Sequence, residues 1–202
     1  MARTAEQNAA MRAATRDAVL TAAVRVFARR GFAASTIRDI ALEAGMSIGS
    51  VYRHYASKEE LHAELLDQGA TGLVALAENL AGAGSPTELV RGFTTRFLDD
   101  LTTDDGAAEF VVVLNHGFTT DTPPGTLDRL REAHRSMWSA FEDLVRRGQA
   151  AGEFGDGSPA QLTACYFATL GGLTTMRIAL RADLAVPDAD VVLRILTEGS
   201  ST

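Results

Sequence analysis

The sequence predicts an all-α protein of about nine helices, and three observations carry that prediction. Helix-start signatures recur along the chain, in Thr36 with Asp39, Ser57 with Glu60, Ser85-Pro86-Thr87-Glu88 and Ser158-Pro159. Between them, apolar residues return every three or four positions, the period of one helix face. Only the run Val111 to Leu114 would suit a strand, and with no second segment favouring a sheet it reads as helix.

The first helix buries Val19, Leu20, Ala23, Val26 and Phe27 and stops at Gly31. Before it, Met1 to Ala14 is alanine-rich and polar without an apolar core stretch, so it is expected to be a frayed arm, neither signal peptide nor anchor. A second helix opens at the Thr36/Asp39 capping box, carries Ile37, Ile40, Ala41 and Ala44 on one face, and ends at Gly45. Ser47 caps a third. Val51 and Tyr55 fall on one side of it, four residues apart, while Ile48, Ser50, Tyr52 and Arg53 fall on others. Two helices joined by a short turn containing glycine make a helix-turn-helix, whose second helix fits the major groove of B-DNA. Gly49 and Ser50 would let that helix backbone come close to the groove, whereas a purely structural helix gains nothing from a glycine costing up to ~1 kcal/mol relative to alanine. The competing reading is an ordinary helical hairpin.

The order I-A-x-x-A-G-x-S-x-G-x-x-Y-x-H-Y-x-S-K-E-x-L, from Ile40 to Leu61, resembles the N-terminal domain of the TetR family of bacterial transcriptional regulators, and Arg16 to Phe32 is similar to that family's first helix. The resemblance covers about a quarter of the chain. It implies a DNA-binding domain near residues 10–58, with contacts from Arg38, Ser47, Ile48, Gly49, Ser50, Tyr52, Arg53, His54 and Lys58, and a ligand-sensing, dimerising domain over 59–202. It further implies a homodimer on double-stranded operator DNA, most simply a repressor, released when a small-molecule effector reorients the fourth helix. Ser50 and Met46 stand where the family often has Thr and Val, which puts the operator sequence beyond inference.

Charge agrees with a basic head. Residues 1–58 carry nine Arg or Lys against four Asp or Glu, net +5, and residues 59–202 carry ten against twenty-two, net −12, which sums to the chain's −7. A net acidic protein can bind phosphate when its positive charge is gathered at one end. Arg3, Arg12, Arg16, Arg25, Arg29, Arg30, Arg38, Arg53 and Lys58 form that end. Arg25, Arg29 and Arg30 read as a solvated helix face. Lys58, in the first turn of the fourth helix, is expected to hold its ammonium free for a phosphate oxygen.

The fourth helix runs through Leu61, Leu65, Leu66, Leu73, Leu76 and Leu80 to Gly82, and Ala81 to Ser85 is a linker. The fifth starts at Ser85-Pro86 with Glu88 as its capping acid and presents Val90, Phe93, Phe97 and Leu101 until Asp104 to Gly106 breaks it. Phe110 to Phe118 reads as a short buried helix. After the turn Thr122 to Gly125, the longest amphipathic pattern places Leu127, Leu130, His134, Met137, Trp138, Phe141, Leu144 and Val145 on one stripe, and Gly152 ends it. Phe93, Phe97, Phe110, Met137, Trp138 and Phe141 are plain core on the simpler reading. Together with Asn115, His116 and His134 as sparse polar groups they are also what an apolar ligand pocket needs.

From Gly157 to Met176 no residue is charged, but Gln161, the threonines and the glycines make the segment too polar for lipid, so no membrane partner is expected. Its small residues Ala164, Ala168, Gly171, Gly172 and Thr175 form a stripe for close helix approach, assigned to the dimer interface, with Asp188 to Thr197 or the Trp138 helix as companion. The single Cys165 cannot form an internal disulfide or a thiolate metal site, which agrees with a reducing, cytoplasmic setting. His54, His62, His116 and His134 show no metal spacing, and no G-x-S-x-G or P-loop occurs. Cys165 lies in an apolar run that disfavours a thiolate. No cofactor is expected. A helical interaction module with a non-functional head, or least favourably a small-molecule enzyme, is the alternative.

Overall fold

The computed structural model of the chain describes residues 5–103, 106–119, 121–122 and 124–198. Arg3, Asp104 and Pro123 lie outside the described residues. Among the described residues there are nine α-helices, a short 3-10 turn at Arg181–Asp183 and no strand, as the capping signals and periodicity predict. The helices are α1 (Ala5–Arg30), α2 (Ile37–Glu43), α3 (Ile48–Tyr52), α4 (Lys58–Leu80), α5 (Pro86–Thr102), α6 (Ala107–Gly117), α7 (Thr126–Ala150), α8 (Pro159–Leu180) and α9 (Ala189–Thr197). No helix among them is long and apolar enough to cross a membrane.

The chain forms two compact units, Met1–Gln68 with Glu109–Leu127, and Gly69–Ala108 with Asp128–Thr202. In the first, the inward faces of α1, α2, α3 and α4 meet around Val19, Ala23, Phe27, Ile40, Val51, Tyr55, Leu61 and Leu65, joined by Val113 of α6. His62 of α4 is buried in the same unit, its ring clustered with those of Phe27 and Phe32 and its Nδ1 3.0 Å from the Thr122 carbonyl. A segment from the middle of the sequence therefore completes the head, which local patterning around Thr36 to Leu61 does not disclose.

The second unit packs α5, α7, α8 and α9 around Val90, Leu98, Phe141, Leu144, Tyr166, Leu170, Val192 and Leu196. Tyr166 and Phe141 stack at 4.7 Å. The Thr94 hydroxyl gives its proton to the Val90 carbonyl, so the buried Tyr166 hydroxyl, 2.6 Å away, is the donor to Thr94. The C-terminal end of α4 and the turn after it are closed by Arg147, which donates to the carbonyls of Leu80 and Gly82.

Several expectations need correction. Of the expected arm from Met1 to Ala14, residues 1–4 lie outside the described residues and the rest is helix, since α1 is continuous from Ala5; alanine favours helix even where the residues are solvated. The acid that caps α5 is Glu153, whose carboxylate takes the Ser85 hydroxyl at 2.6 Å and the Thr87 amide at 2.9 Å, and these bonds hold its pKa below the usual carboxylate range. A long-range partner outcompetes the local Glu88 at that position. Ser158 makes no side-chain capping bond. Helix α6 is only partly buried, with Asn115 and His116 exposed. Cys165 is exposed and not enclosed by the apolar run, on a side of α8 that the described residues of its own chain leave uncovered.

Candidate nucleic-acid interface

Local chemistry sets the two helices of the head in order. Thr36 Oγ1 accepts from the Asp39 amide at 3.2 Å while the Asp39 carboxylate takes the Thr36 amide at 3.0 Å, so the capping box closes in both directions. The Thr36 hydroxyl, the largest cause, holds the Asp39 carboxyl below its ordinary pKa. Gly45, at φ +64°, ends α2 in the left-handed conformation, and the Met46 amide reaches back to the Ala41 carbonyl at 2.9 Å. Ser47 Oγ then accepts from the Ser50 amide at 3.1 Å and starts α3.

Helix α3 has two unlike faces. Val51 and Tyr55 are turned inward and almost wholly buried, whereas Ile48 is 38% and Tyr52 54% exposed, with Gly49 and Arg53 exposed beside them. Nothing lies within 4 Å of where a Cβ at Gly49 would be, and its φ is not positive, so neither packing nor backbone geometry in the free protein demands glycine there. Ser50 Oγ accepts from Arg53 Nη2 at 2.8 Å and sits 2.9 Å from Ser47 Oγ, which lays the guanidinium along the exposed face. His54 is half-buried, and Arg38, on α2, is exposed. Among the described residues, neither Arg38 nor Arg53 is in an ion pair with a carboxylate. Arg30 instead pairs with Asp39 at 2.8 Å, and Arg29 with Glu43. Both arginines are more than half exposed, as the solvated-face reading expects, and they also make surface ties between α1 and α2.

Lys58 also departs from expectation. Its Nζ donates to the carbonyls of Phe32 at 2.9 Å, Ala33 at 3.1 Å and Ser35 at 3.0 Å, and lies 4.6 Å from the centroid of the Phe32 ring. An ammonium has three protons, and all three are used, so it is not free. Arg16, which the sequence reading places only in the basic end, donates from Nε to Tyr55 Oη at 3.0 Å and pairs through Nη2 with Glu64 at 2.6 Å, tying α1, the residues after α3 and α4 together. Burial is the largest influence on the Tyr55 hydroxyl and pushes it up to about 12, so it stays protonated. The sequence separation of 39 between Arg16 and Tyr55 puts that tie beyond any local motif.

In the second unit, Phe93 and Phe97 lie 6.1 Å apart, and Trp138 is flanked by His134 at 5.6 Å and by Phe167, a residue sequence reading passed over, at 5.4 Å. His134 is half-buried, which lowers its pKa. Met137 and Phe141 are buried. Phe110 packs on the core of the first unit. A cleft of about 590 Å³ lies over other residues of the second unit, lined by Ala81, Arg135, Ser139, Asp143 and Arg147 among others, and none of the nine expected pocket residues lines it. Along α8, Ala164, Ala168 and Thr175 are exposed, Gly171 and Gly172 are half-buried, and a Cβ added at either glycine meets open space.

Residues 19–65, the span that carries this helix pair, match the family model of bacterial regulatory proteins of the tetR family. The chain is 30% identical over 186 residues to the transcriptional regulator TtgR of Pseudomonas putida, covering 87% of this chain and 82% of that one. It is 41% identical over 142 residues to the transcriptional repressor KstR2 of Mycobacterium tuberculosis, covering 69% and 68%. Among solved structures, the MbdR regulator from Azoarcus sp. CIB superposes with a TM-score of 0.72 at 22% identity, over 90% of this chain and 97% of that one. A head whose third helix shows an apolar inner face and an exposed outer one, matched over most of the chain by such relatives, identifies this protein as a member of the TetR family of DNA-binding transcriptional regulators.

Proposed function

We propose that the protein binds a near-palindromic duplex operator as a homodimer, acts as a repressor, and is released by a flat, largely apolar small molecule. The observation that carries the operator reading is the outer face of α3. Ile48, Gly49, Tyr52 and Arg53 are exposed together on a helix whose other side is locked into the core by Val51 and Tyr55, and its glycine has no internal reason to be there. Such a face lets the helix sit deep in a major groove. Arg38, Ser47, His54 and Arg53 flank the approach and would meet phosphates or base edges, while Ile48, Gly49 and Ser50 would lie against the bases.

Dimerisation is assigned to the exposed side of α8 around Ala164, Ala168, Gly171, Gly172 and Thr175, where small residues permit close helix approach. The effector site is assigned to the aromatic group of the second unit, with Phe93, Phe97, Trp138 and Phe167 as walls and His134 as a polar contact. KstR2 of Mycobacterium tuberculosis, a relative by sequence and by fold, is a ketosteroid transcriptional regulator, which suits a flat, apolar ligand class. The effector must bind the DNA-incompetent state more tightly, because only differential affinity can shift the equilibrium.

The experiment is selection of duplexes from a random pool by the purified protein, followed by variants. Affinity should fall with rising salt. Tyr52→Ala should weaken binding to all sequences about tenfold, Ile48→Ala should change which bases are preferred, and Val51→Asp should unfold the head. Enrichment of no duplex over several rounds would leave the head as a helical module without an operator.

A further inference from the structure

We propose that Lys58 is a positioning residue, which acts on operator binding by caging its ammonium among the carbonyls of Phe32, Ala33 and Ser35, and not by neutralising a phosphate. Its three N–H groups meet three carbonyls at 2.9, 3.1 and 3.0 Å, the tetrahedral use an ammonium makes of converging oxygens. The Phe32 ring, 4.6 Å away, adds an aromatic face to the cage. Lys58 is also the first residue of α4, where the helix dipole disfavours a cation. A lysine placed against the dipole needs a compensating interaction, and the cage supplies it.

The caged carbonyls belong to the loop between α1 and α2, and that loop ends at Thr36, the residue that caps α2. The Ser35 hydroxyl is itself buried and donates to the Gly31 carbonyl at 2.7 Å, and the Ser35 amide donates to the Phe32 carbonyl at 3.3 Å, so the loop is bonded within itself and Lys58 adds its side-chain hydrogen bonds from α4. Fixing it sets where α2 begins, and α3 follows from α2 through the Gly45 turn. The same Phe32 ring lies 4.5 Å from that of His62, so the cage rests on the core of the head. An arginine would keep the charge, but its planar fork does not present three donors to oxygens that converge on one point.

This inference rests on the operator-binding reading for one of its two tests, and the other stands without it. Full-length protein and its Lys58→Met and Lys58→Arg variants are melted without DNA, and titrated across a salt series with a duplex enriched by the parent protein. Both variants should lose roughly 3–8 °C of melting temperature. Amide exchange should speed up at Phe32 to Thr36 while α7 and α8 keep their protection. Both should also lose at least tenfold in operator affinity, with the slope of log affinity against log salt unchanged. A phosphate contact predicts the reverse, in which Lys58→Met melts like the parent and lowers the slope by about one, and Lys58→Arg binds normally; that result would overturn the proposal. If a variant head does not fold while the body stays protected, the cage is upheld. If the parent enriches no duplex, the operator reading fails, and unchanged melting and exchange in both variants would still overturn the cage.

Discussion

A Cβ added at Gly148 would lie 2.1 Å from Cδ2 and 2.5 Å from Cε2 of Phe154, so the ring of Phe154 packs directly on the backbone of α7. The chain turns back on itself there, with the Glu153 and Phe154 amides both donating to the Gly148 carbonyl at 2.8 and 3.2 Å. Phe154 is buried in the core of the second unit and cannot swing out without opening a cavity. Gly148→Ala should therefore destabilise the protein by about 1–3 kcal/mol, the range of overpacked cores. Thermal unfolding should show it as a drop of several degrees, and an unchanged melting temperature would mean that the ring has somewhere else to go.

Gly49→Ala should behave in the opposite way. Its Cβ meets open space and its backbone is helical, so alanine should leave the fold intact and stabilise α3 by up to ~1 kcal/mol. Operator affinity should fall at the same time, because the methyl group occupies the surface that approaches the groove. A variant that melts higher and binds the enriched duplex as well as the parent would remove the close-approach role.

The contrast between these glycines marks what sequence could disclose. Both sit inside helical patterns, and nothing local separates the one that packs on Phe154 from the one that faces solvent. The head was legible because Thr36, Asp39, Gly45, Ser47, Val51 and Tyr55 act on neighbours within a few residues, where capping and periodicity operate. The ties from Arg16 to Tyr55, from Lys58 to Phe32 and from Glu153 to Ser85 span 39, 26 and 68 residues, and each needs the tertiary fold to bring its partners together. Lys58 shows the consequence: its place at a helix start suggested a free ammonium, and the fold supplies three carbonyls instead. His134, Met137, Trp138 and Phe141 were legible as a stripe on α7, but the partner that Trp138 stacks on, Phe167, comes from α8, in the uncharged stretch of small residues that ends at Met176.

Acid should weaken the head through His62. Burial is the largest influence on its ring and lowers its pKa, while the bond to the Thr122 carbonyl acts the other way. The folded state thus resists protonation more than the unfolded chain, whose histidines titrate near ~6.5. As pH falls through that value the unfolded state takes up the proton first, so stability present above it is lost progressively down to the folded pKa. The melting temperature should decline between about pH 7 and pH 5, and His62→Phe, which keeps an aromatic ring beside Phe27 and Phe32, should flatten part of that decline. Equal slopes in parent and variant would assign the pH dependence to other groups.

The only cysteine offers a direct test of the dimer. Cys165 is exposed on α8 beside Ala164 and Ala168, on the side assigned to subunit contact. A short bis-maleimide should therefore link two copies into one covalent product of twice the chain mass at micromolar protein. Because Gly172 has open space around its Cβ position, Gly172→Arg should keep the monomer fold and yet prevent the pairing. Cross-linking that persists undiminished in Gly172→Arg would move the interface to another face.

Trp138 is the only tryptophan, and its surroundings make it a reporter of the proposed effector site. Its indole stacks on Phe167 at 5.4 Å with planes 30° apart, has His134 on one side at 5.6 Å, and donates from Nε1 to Glu142 at 3.1 Å. Phe167 in turn meets the edge of Phe141 at 4.8 Å. A flat apolar molecule entering this group would part some of these rings and take their place. It would exchange ring-ring contacts for ring-ligand contacts of the same kind, and offset stacking is worth about 0.5–1.5 kcal/mol beyond burial, so the exchange is feasible without unfolding the core. Parting Trp138 from Phe167 alters the environment of the indole. Effector titrations should then change Trp138 emission over the same concentrations that release operator DNA, because both follow one equilibrium. Trp138→Phe should keep the fold and operator binding while shifting the concentration of effector needed for release by about tenfold. If the rings are only core, the same variant should melt lower and respond to every compound like the parent. A panel of flat hydrophobic compounds titrated against both proteins separates the two, and release of DNA with Trp138 emission untouched throughout would place the effector elsewhere in the protein.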